Sequence, residues 1–478
     1  MQNKGFVLVA SYIILLTGVS FLFCIPFAMY YNEPSSPFYI PSLLLSAMGI
    51  LLYSSSYKST PTIKSNSERV ILIVLTWTIL VLSGMLPYLF SEVIPSRVNI
   101  FFETVSGLTT TGSTILENPE LLPKSILLWR SLTHWVGGLT TIILLFTILP
   151  PLNIGGSDLF LSMGKAPIKA STLIARIIQI YCVLTSLQVV LLYLGGMNLF
   201  ESLCHSFGAV SSGAFSPKNN SIAGYSTTIQ LIMAFFMFLS GFSYVIYFLT
   251  INGKLKRAIA REENRIYLIL GTSFTLFIAG ILFFKDGKEF GVAFLQSVFQ
   301  VTSVASSSGY YTISYSEWPN HVLPLFYLLI IVGGSTGSAS GGIKMSRFLI
   351  LLKNLRQQFK VSDRSENTVA IKYNGRKVNE NNNLSVLTYI TVFGFLFVLG
   401  TILLSMFGTE LEKCVFLALS ALSNFGVNIT IADFSSAEKI IMSLLMILGR
   451  LEIYPLLLLF VPLFYKTADH NTEKTSEQ

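Results

Sequence analysis

Ten stretches of this chain stay apolar for long enough to cross the roughly 30 Å of a bilayer's hydrocarbon layer. They fall near 6–30, 38–56, 69–91, 125–150, 172–196, 226–251, 266–284, 322–352, 385–407 and 436–465. A soluble fold cannot bury so many apolar helices, whereas lipid solvates them, so the pattern dictates a polytopic membrane protein. Composition agrees: 52% of the 478 residues are hydrophobic and 12% are charged, with a mean hydropathy of +0.65. The first run, from about Phe6 to Tyr30, is longer than a signal-peptide core. No small-residue cleavage site precedes Asn32, so it reads as a retained span.

A formal charge of +8 suits nucleic acid in a soluble protein. Here the basic residues gather in short links between apolar runs: Lys58, Lys64 and Arg69; Lys165, Lys169 and Arg176; Lys254, Lys256, Arg257, Arg261 and Arg265; and a cluster from Lys344 to Lys377. That is the positive-inside pattern, and it predicts both termini in the cytoplasm, membrane lipid as the surroundings and no nucleic-acid partner. The outer links are polar or acidic, as in Asn32–Ser36 and Glu117–Glu120. Cys24, Cys182, Cys204 and Cys414 lie far apart with no CxxC pair, and His134, His205, His321 and His470 are equally scattered. Neither a disulfide framework nor a metal or triad site is indicated, so no enzyme is expected.

Four outer links are too apolar for plain loops and too short to span: 97–111, 199–212, 290–308 and 411–425. Re-entrant half-helices are the natural reading, because irregular backbone survives at membrane depth only when protein buries it or it lines water. Aligned on a shared glycine, they read FETVSGLTTTG (Phe102–Gly112), LCHSFGAVSSG (Leu203–Gly213), FQVTSVASSSG (Phe299–Gly309) and FLALSALSNFG (Phe416–Gly426). The glycines recur roughly every hundred residues, and the last interval is lengthened by a hydrophilic insert. The predicted fold is all-α: four pseudo-symmetric span–half-helix–span repeats around one central pore, plus two extra N-terminal spans. Its parts are the N-terminal pair (1–60), repeat 1 (65–152), repeat 2 (165–252), repeat 3 with a broken second span (262–353), a cytoplasmic linker (354–383), repeat 4 (384–466) and a disordered tail (467–478).

Such a repeat suits a cation pathway. A dehydrating cation must trade water oxygens for protein oxygens at nearly equal free energy, which rings of backbone carbonyls do. Glycine lets successive carbonyls point one way, and the carbonyl ends of the half-helices add negative potential. The predicted ligand set is Thr110, Thr111 and Gly112; Ser211, Ser212 and Gly213; Ser307, Ser308 and Gly309; and Asn424, Phe425 and Gly426. The span from Val322 is interrupted by Gly333–Gly342, too rich in glycine and hydroxyls to stay helical, so a flexible intramembrane loop is expected. A phosphate-binding loop is excluded, because Gly342-Ile343-Lys344-Met345 lacks the Gly-Lys-Ser/Thr ending. Arg450 falls midway along the final span, where a charge is costly. It either faces the pore and meters cations or pairs with a carboxylate such as Glu452. In Trp129–Gly138, Arg130 is read as an outer-end anchor and Gly137 and Gly138 as close helix contacts, a structural part in preference to an ion-ligand role for His134.

These segments resemble the Trk/Ktr/HKT potassium transporter superfamily, most of all its TrkH-type bacterial members. The likeness covers nearly the whole chain. It rests on TTTGST (Thr109–Thr114), WRSLTHWVGG (Trp129–Gly138), GGSTGSASGGIK (Gly333–Lys344) and GRLEIYPLLLLF (Gly449–Phe460). The resemblance implies potassium as the transported ion and Gly112, Gly213, Gly309 and Gly426 as filter glycines. It implies a gate of Gly334, Ser335, Thr336, Gly337, Ser338, Ala339, Ser340, Gly341, Gly342 and Lys344 under the filter, with Arg450 nearby on the intracellular side. It implies a homodimer with one pore per subunit, in a bacterial inner membrane, on a cytosolic ring of nucleotide-binding regulators of TrkA or KtrA type. Glycine at 112, where sodium-permeable plant relatives carry serine, favours potassium. The fourth segment departs from the pattern, reading Asn424-Phe425-Gly426-Val427-Asn428 where TrkH-type chains often have Gly-Pro-Gly, and the third has no threonine. The competing function is a secondary transporter of an organic solute, which also uses discontinuous helices but commonly in two halves.

Overall fold

The computed structural model describes residues 3–58, 65–148, 170–361, 371–427, 429 and 431–459. Lys64, Lys165, Lys169, Asn428 and the tail lie outside the described residues. The N-terminal pair is α1 (Asn3–Leu22), continued by the short α2 (Ile25–Tyr30), against α3 (Ser36–Ser56). Small residues let the two approach. A Cβ on Gly49 would come within 2.6 Å of Leu15, and Ser42 Oγ donates to the Gly18 carbonyl at 2.8 Å.

Each repeat then supplies a first span, a half-helix and a second span. Repeat 1 has α4 (Asn66–Gly84, opened by a Ser65–Glu68 capping box) with α5 (Leu86–Ser91), then α6 (Arg97–Leu108) and α7 (Lys124–Thr147). Repeat 2 has α8 (Ala170–Leu194), α9 (Leu199–Ser211), α10 (Thr227–Ser240) and α11 (Tyr244–Ile251). After the short α12 (Leu255–Ile259), repeat 3 has α13 (Glu262–Phe284), α14 (Phe290–Ala305), α15 (Leu323–Val332) and α16 (Met345–Val361). Repeat 4 has α17 (Glu380–Ser405), α18 (Leu411–Leu422), α19 (Ser436–Arg450) and α20 (Tyr454–Leu458).

Among the described residues, six helical runs are long and apolar enough to cross a membrane alone. They are the N-terminal pair and the first span of every repeat. The second spans are different: α7 carries a buried Arg130 and His134, α10 and α11 meet at 91°, α15 and α16 flank the Gly/Ser loop, and α19 stops at Arg450. The distinction has a physical cause. A helix facing lipid must satisfy its backbone internally, whereas one surrounded by protein can break where neighbours supply partners.

Three expectations need correcting here. The run 226–251 is not one straight span, because it turns sharply at Gly241–Ser243. The run 436–465 is not continuous either: Glu452 and Ile453 adopt positive φ (60° and 61°) and interrupt it immediately after Arg450. The insert 354–383 is more than a linker. Helix α16 extends into it, and an antiparallel hairpin follows, β1 (Lys372–Tyr373) and β2 (Arg376–Lys377), turned by Asn374 and Gly375 at positive φ.

Candidate ion-binding site

The half-helices α6, α9, α14 and α18 all end in the same turn. One residue enters the left-handed region: Thr110 (φ 55°), Ser212 (φ 61°), Ser307 (φ 58°) and Asn424 (φ 47°). The next amide donates back to the carbonyl five residues earlier: Thr111 to Ser106 at 3.0 Å, Gly213 to Gly208 at 2.8 Å, Ser308 to Ser303 at 2.9 Å and Phe425 to Ser420 at 2.9 Å. In a planar trans peptide the C=O opposes the N–H. The carbonyls of Thr110, Ser212, Ser307 and Asn424 are therefore turned away from their own half-helices.

This geometry shifts the register of the second repeat by one. Gly213 matches Thr111, Ser308 and Phe425, and the residue matching Gly112, Gly309 and Gly426 is Ala214. Ser211 is correspondingly the last helical residue, equivalent to Thr109, Ser306 and Ser423. Alignment on the glycine missed this. The signal that finds it is the polar pair two and three places before the turn's last residue: Thr109-Thr110, Ser211-Ser212, Ser306-Ser307 and Ser423-Asn424.

The turns meet. Gly112, Ala214, Gly309 and Gly426 all line one cavity of about 120 Å³, together with Thr114, Glu117, Arg130, Lys218 and Tyr311. Side chains are excluded by contact. A Cβ on Gly426 would lie 2.5 Å from the Ala214 methyl and 2.7 Å from the Thr111 oxygen, and one on Gly309 would lie 2.6 Å from the Gly426 Cα. Hydroxyls knit three of the four turns: Ser106, Ser303 and Ser420 donate to Ser113, Tyr310 and Phe425 carbonyls at 2.5, 2.6 and 2.5 Å. Asn424 bridges repeats, its Nδ2 donating to Thr111 Oγ1 at 3.2 Å and the Met446 carbonyl at 2.8 Å.

The half-helix ends are held by glycines on the second spans. A Cβ on Gly137 would stand 1.8 Å from the Leu108 oxygen, and one on Gly449 would stand 2.0 Å from that of Leu422. His134 is fully employed in structure: Nδ1–H donates to the Gly107 carbonyl at 2.6 Å, and Nε2 accepts from the Phe215 amide at 3.1 Å. Neither ring nitrogen remains for an ion. Arg130 has a structural part, as a buried tie between elements. It is buried, bonded through Nε to Glu103 at 2.6 Å and through Nη1 to the Ser216 carbonyl at 2.9 Å, with its guanidinium 3.7 Å over the Phe215 ring.

The Gly/Ser loop is compact and buried from Gly333 to Gly341, not the loose segment its composition suggests. It completes the break between α10 and α11, since Ser335 N donates to the Gly241 carbonyl and Tyr244 N to the Gly337 carbonyl, both at 2.9 Å. Glu263 accepts from the Thr336 amide, Thr336 and Ser346 hydroxyls bond, and Lys344 reaches the Ser340 carbonyl. Gly341 lies against the carbonyl end of α18, where a Cβ would stand 1.8 Å from the Ser423 oxygen. Arg450 donates from Nη1 to the Ala339 carbonyl at 2.6 Å, while its Nε and Nη2 find no protein partner among the described residues. Glu452 pairs with Arg347, at 2.5 Å, and not with Arg450. The Arg347 guanidinium also stacks 3.9 Å over Tyr389.

The profile of the TrkH family, described as a cation transport protein, matches residues 35–466. Among curated relatives, the Trk system potassium uptake protein TrkH of Escherichia coli K12 is 31% identical over 437 residues, covering 88% of this chain and 90% of that one. The potassium uptake protein TrkG of the same organism is 28% identical over 473 residues, covering 96% and 97%. A crystal structure of the potassium transporter TrkH from Vibrio parahaemolyticus superposes with a TM-score of 0.90 at 26% identity, over 97% of this chain and 100% of that one.

Proposed function

The chain belongs to the TrkH family of cation transport proteins, a multi-pass membrane transporter and not an enzyme, and from that premise we propose that it takes up potassium through the cavity at its four turns. The observation that carries this reading is the convergence of Gly112, Ala214, Gly309 and Gly426 on one cavity, each preceded by a carbonyl turned off its half-helix. Four negative helix ends aimed at a common point favour a cation. Peptide oxygens, with no side chain at three of the four closing positions, then replace its water. An organic solute fits poorly, because drug-sized ligands occupy cavities of about 300 Å³ or more and this one holds about 120 Å³.

Ions move inward down the electrochemical gradient, with the Gly/Ser loop as gate and Arg450 as its clasp. The loop's seat against α18 and the Arg450–Ala339 bond support this. A cationic side chain next to the conduction path also raises the local potential against permeant cations. The protein works as a homodimer with one pore per subunit, in the bacterial inner membrane with both termini cytoplasmic, on a ring of nucleotide-binding regulators. The test is potassium or rubidium influx into proteoliposomes holding the purified protein, with a candidate regulator supplied. Influx above that of empty vesicles, competed by potassium and not by organic solutes, is the expected outcome. Flux equal to the empty control rejects the reading.

A further inference from the structure

Counting nine residues back from the closing residue of each turn, in the register the hydrogen bonds set, gives Glu103, His205, Gln300 and Leu417. All four are buried. Glu103 holds the chain leaving its own turn: its carboxylate accepts from Thr114 Oγ1 at 2.9 and 3.0 Å and from the Ile115 amide at 3.1 Å, besides Arg130. His205 does the same in repeat 2, where its Nδ1–H donates to the Glu201 carbonyl at 2.8 Å and Nε2 accepts from Ser216 Oγ at 3.2 Å. Gln300 bonds the Tyr315 hydroxyl in repeat 3. Leu417 has no polar atom to offer.

The polar members are linked across quadrants. Arg130, fixed by Glu103, donates to the carbonyl of Ser216, whose hydroxyl meets His205. Tyr310 OH donates to the Phe215 carbonyl at 2.9 Å, joining repeat 3 to repeat 2. Gly208 makes room for that ring, since a Cβ there would stand 2.1 Å from the Tyr310 oxygen. From repeat 3 to repeat 4 the contact is apolar, a Tyr315–Phe425 edge contact at 5.8 Å, and the polar tie of repeat 4 runs to repeat 1, from Asn424 to Thr111.

We propose that Glu103, His205 and Gln300 form a brace behind the turns, and that Glu103, acting through Thr114, Ile115 and Arg130, is a positioning residue that sets discrimination between potassium and sodium. Leu417 contributes nothing to this brace, and the fourth turn is held instead by Asn424, through Thr111 and the Met446 carbonyl. The physical basis is that selectivity by a carbonyl ring depends on how far its oxygens follow a smaller ion inward. A charge-assisted network resists that motion more than an apolar contact does. The inference rests on the reading of the turns as a filter.

The experiment uses full-length protein in proteoliposomes and measures how much sodium, relative to potassium, halves rubidium uptake. This ratio does not depend on the quantity of folded protein. Glu103→Gln, Gln300→Leu and Tyr315→Phe are each expected to reduce sodium's handicap about fivefold, with Glu103→Asp recovering part of it. Should Glu103→Gln fail to assemble, because Arg130 is left buried without its counter-charge, Gln300→Leu and Tyr315→Phe carry the test. Unchanged ratios in the assembled variants overturn the brace. Gly112→Ser serves as the reference: if it too leaves the ratio unchanged, the filter reading falls, whereas a shift in Gly112→Ser alone rejects only the brace.

Discussion

At the scale of single residues, the site is governed by what cannot be present. Gly112 has φ 83°, and an added Cβ would sit 2.5 Å from the Ala214 methyl. Gly112→Ser therefore imposes both backbone strain and crowding on one quadrant. We predict that it lowers the potassium-to-sodium permeability ratio at least about fivefold, measured by reversal potential or competitive flux. Ala214 is the one closing residue with a side chain, and its methyl already bounds the space left by Gly112 and Gly426. Ala214→Val places two more carbons there and is predicted to reduce rubidium uptake to below about a tenth of wild type, while Ala214→Gly remains active. The pair discriminates the two registers of the second repeat. If Gly213 were the closing residue, Ala214→Val would transport normally.

Among the elements, the second spans carry the departures from regular helix, and each departure serves its neighbour. The 91° turn between α10 and α11 frees the Gly241 carbonyl and the Tyr244 amide, and the Gly/Ser loop satisfies both. The loop in turn lies against the end of α18 and is held by Arg450 from the end of α19. Shortening residues 335–341 withdraws it from that seat. Basal rubidium flux without regulator is predicted to rise several-fold, and wild-type flux would exclude a gating role. Arg450→Ala removes the bond to Ala339 that holds the loop, so on the proposed gating role basal flux should rise in the same direction. Together the two changes should exceed neither alone by much, since both act on one obstruction. A thermal melt of the purified variants separates this from misfolding, which would lower the transition temperature and the flux together.

For the whole molecule, the decisive property is closure within one chain. The cavity takes a turn from each of the four repeats of the same subunit, so no partner is needed to complete it. If the proposed homodimer forms, dimers mixed from wild-type and Ala214→Val subunits are therefore predicted to transport in proportion to their wild-type content. A dominant loss, steeper than linear in the mixing ratio, would show that the pathway is shared between subunits. The N-terminal pair supplies no turn to the cavity; its helices meet through Gly18 and Gly49, and it packs on repeat 1 through Phe21 on Trp129 and Glu33 on the Lys124 and Ser125 amides.

Much of this was legible from the chain alone. Long apolar runs read as membrane helices, because water cannot solvate them, and the clustering of basic links predicts which side they face. The short apolar segments before each glycine declared themselves by being too long for loops and too short to span. The sequence could not tell which lipid-length runs are whole. Runs 226–251 and 436–465 read as spans, yet the first breaks where the distant Gly/Ser loop satisfies the freed backbone, and the second breaks after Arg450 in a turn closed by local bonds such as Ile453 N to the Leu448 carbonyl. Alignment on glycine misplaced the second repeat's register by one; the polar pair Ser211-Ser212 carries the signal, and the turn's hydrogen bonds single it out. Arg130 and Glu452 make the same point: a buried charge advertises that it has a partner, but Glu103 and Arg347 become those partners only when the chain is folded. Local pattern follows from solvation and is written along the chain; pairing across hundreds of residues is decided by tertiary packing.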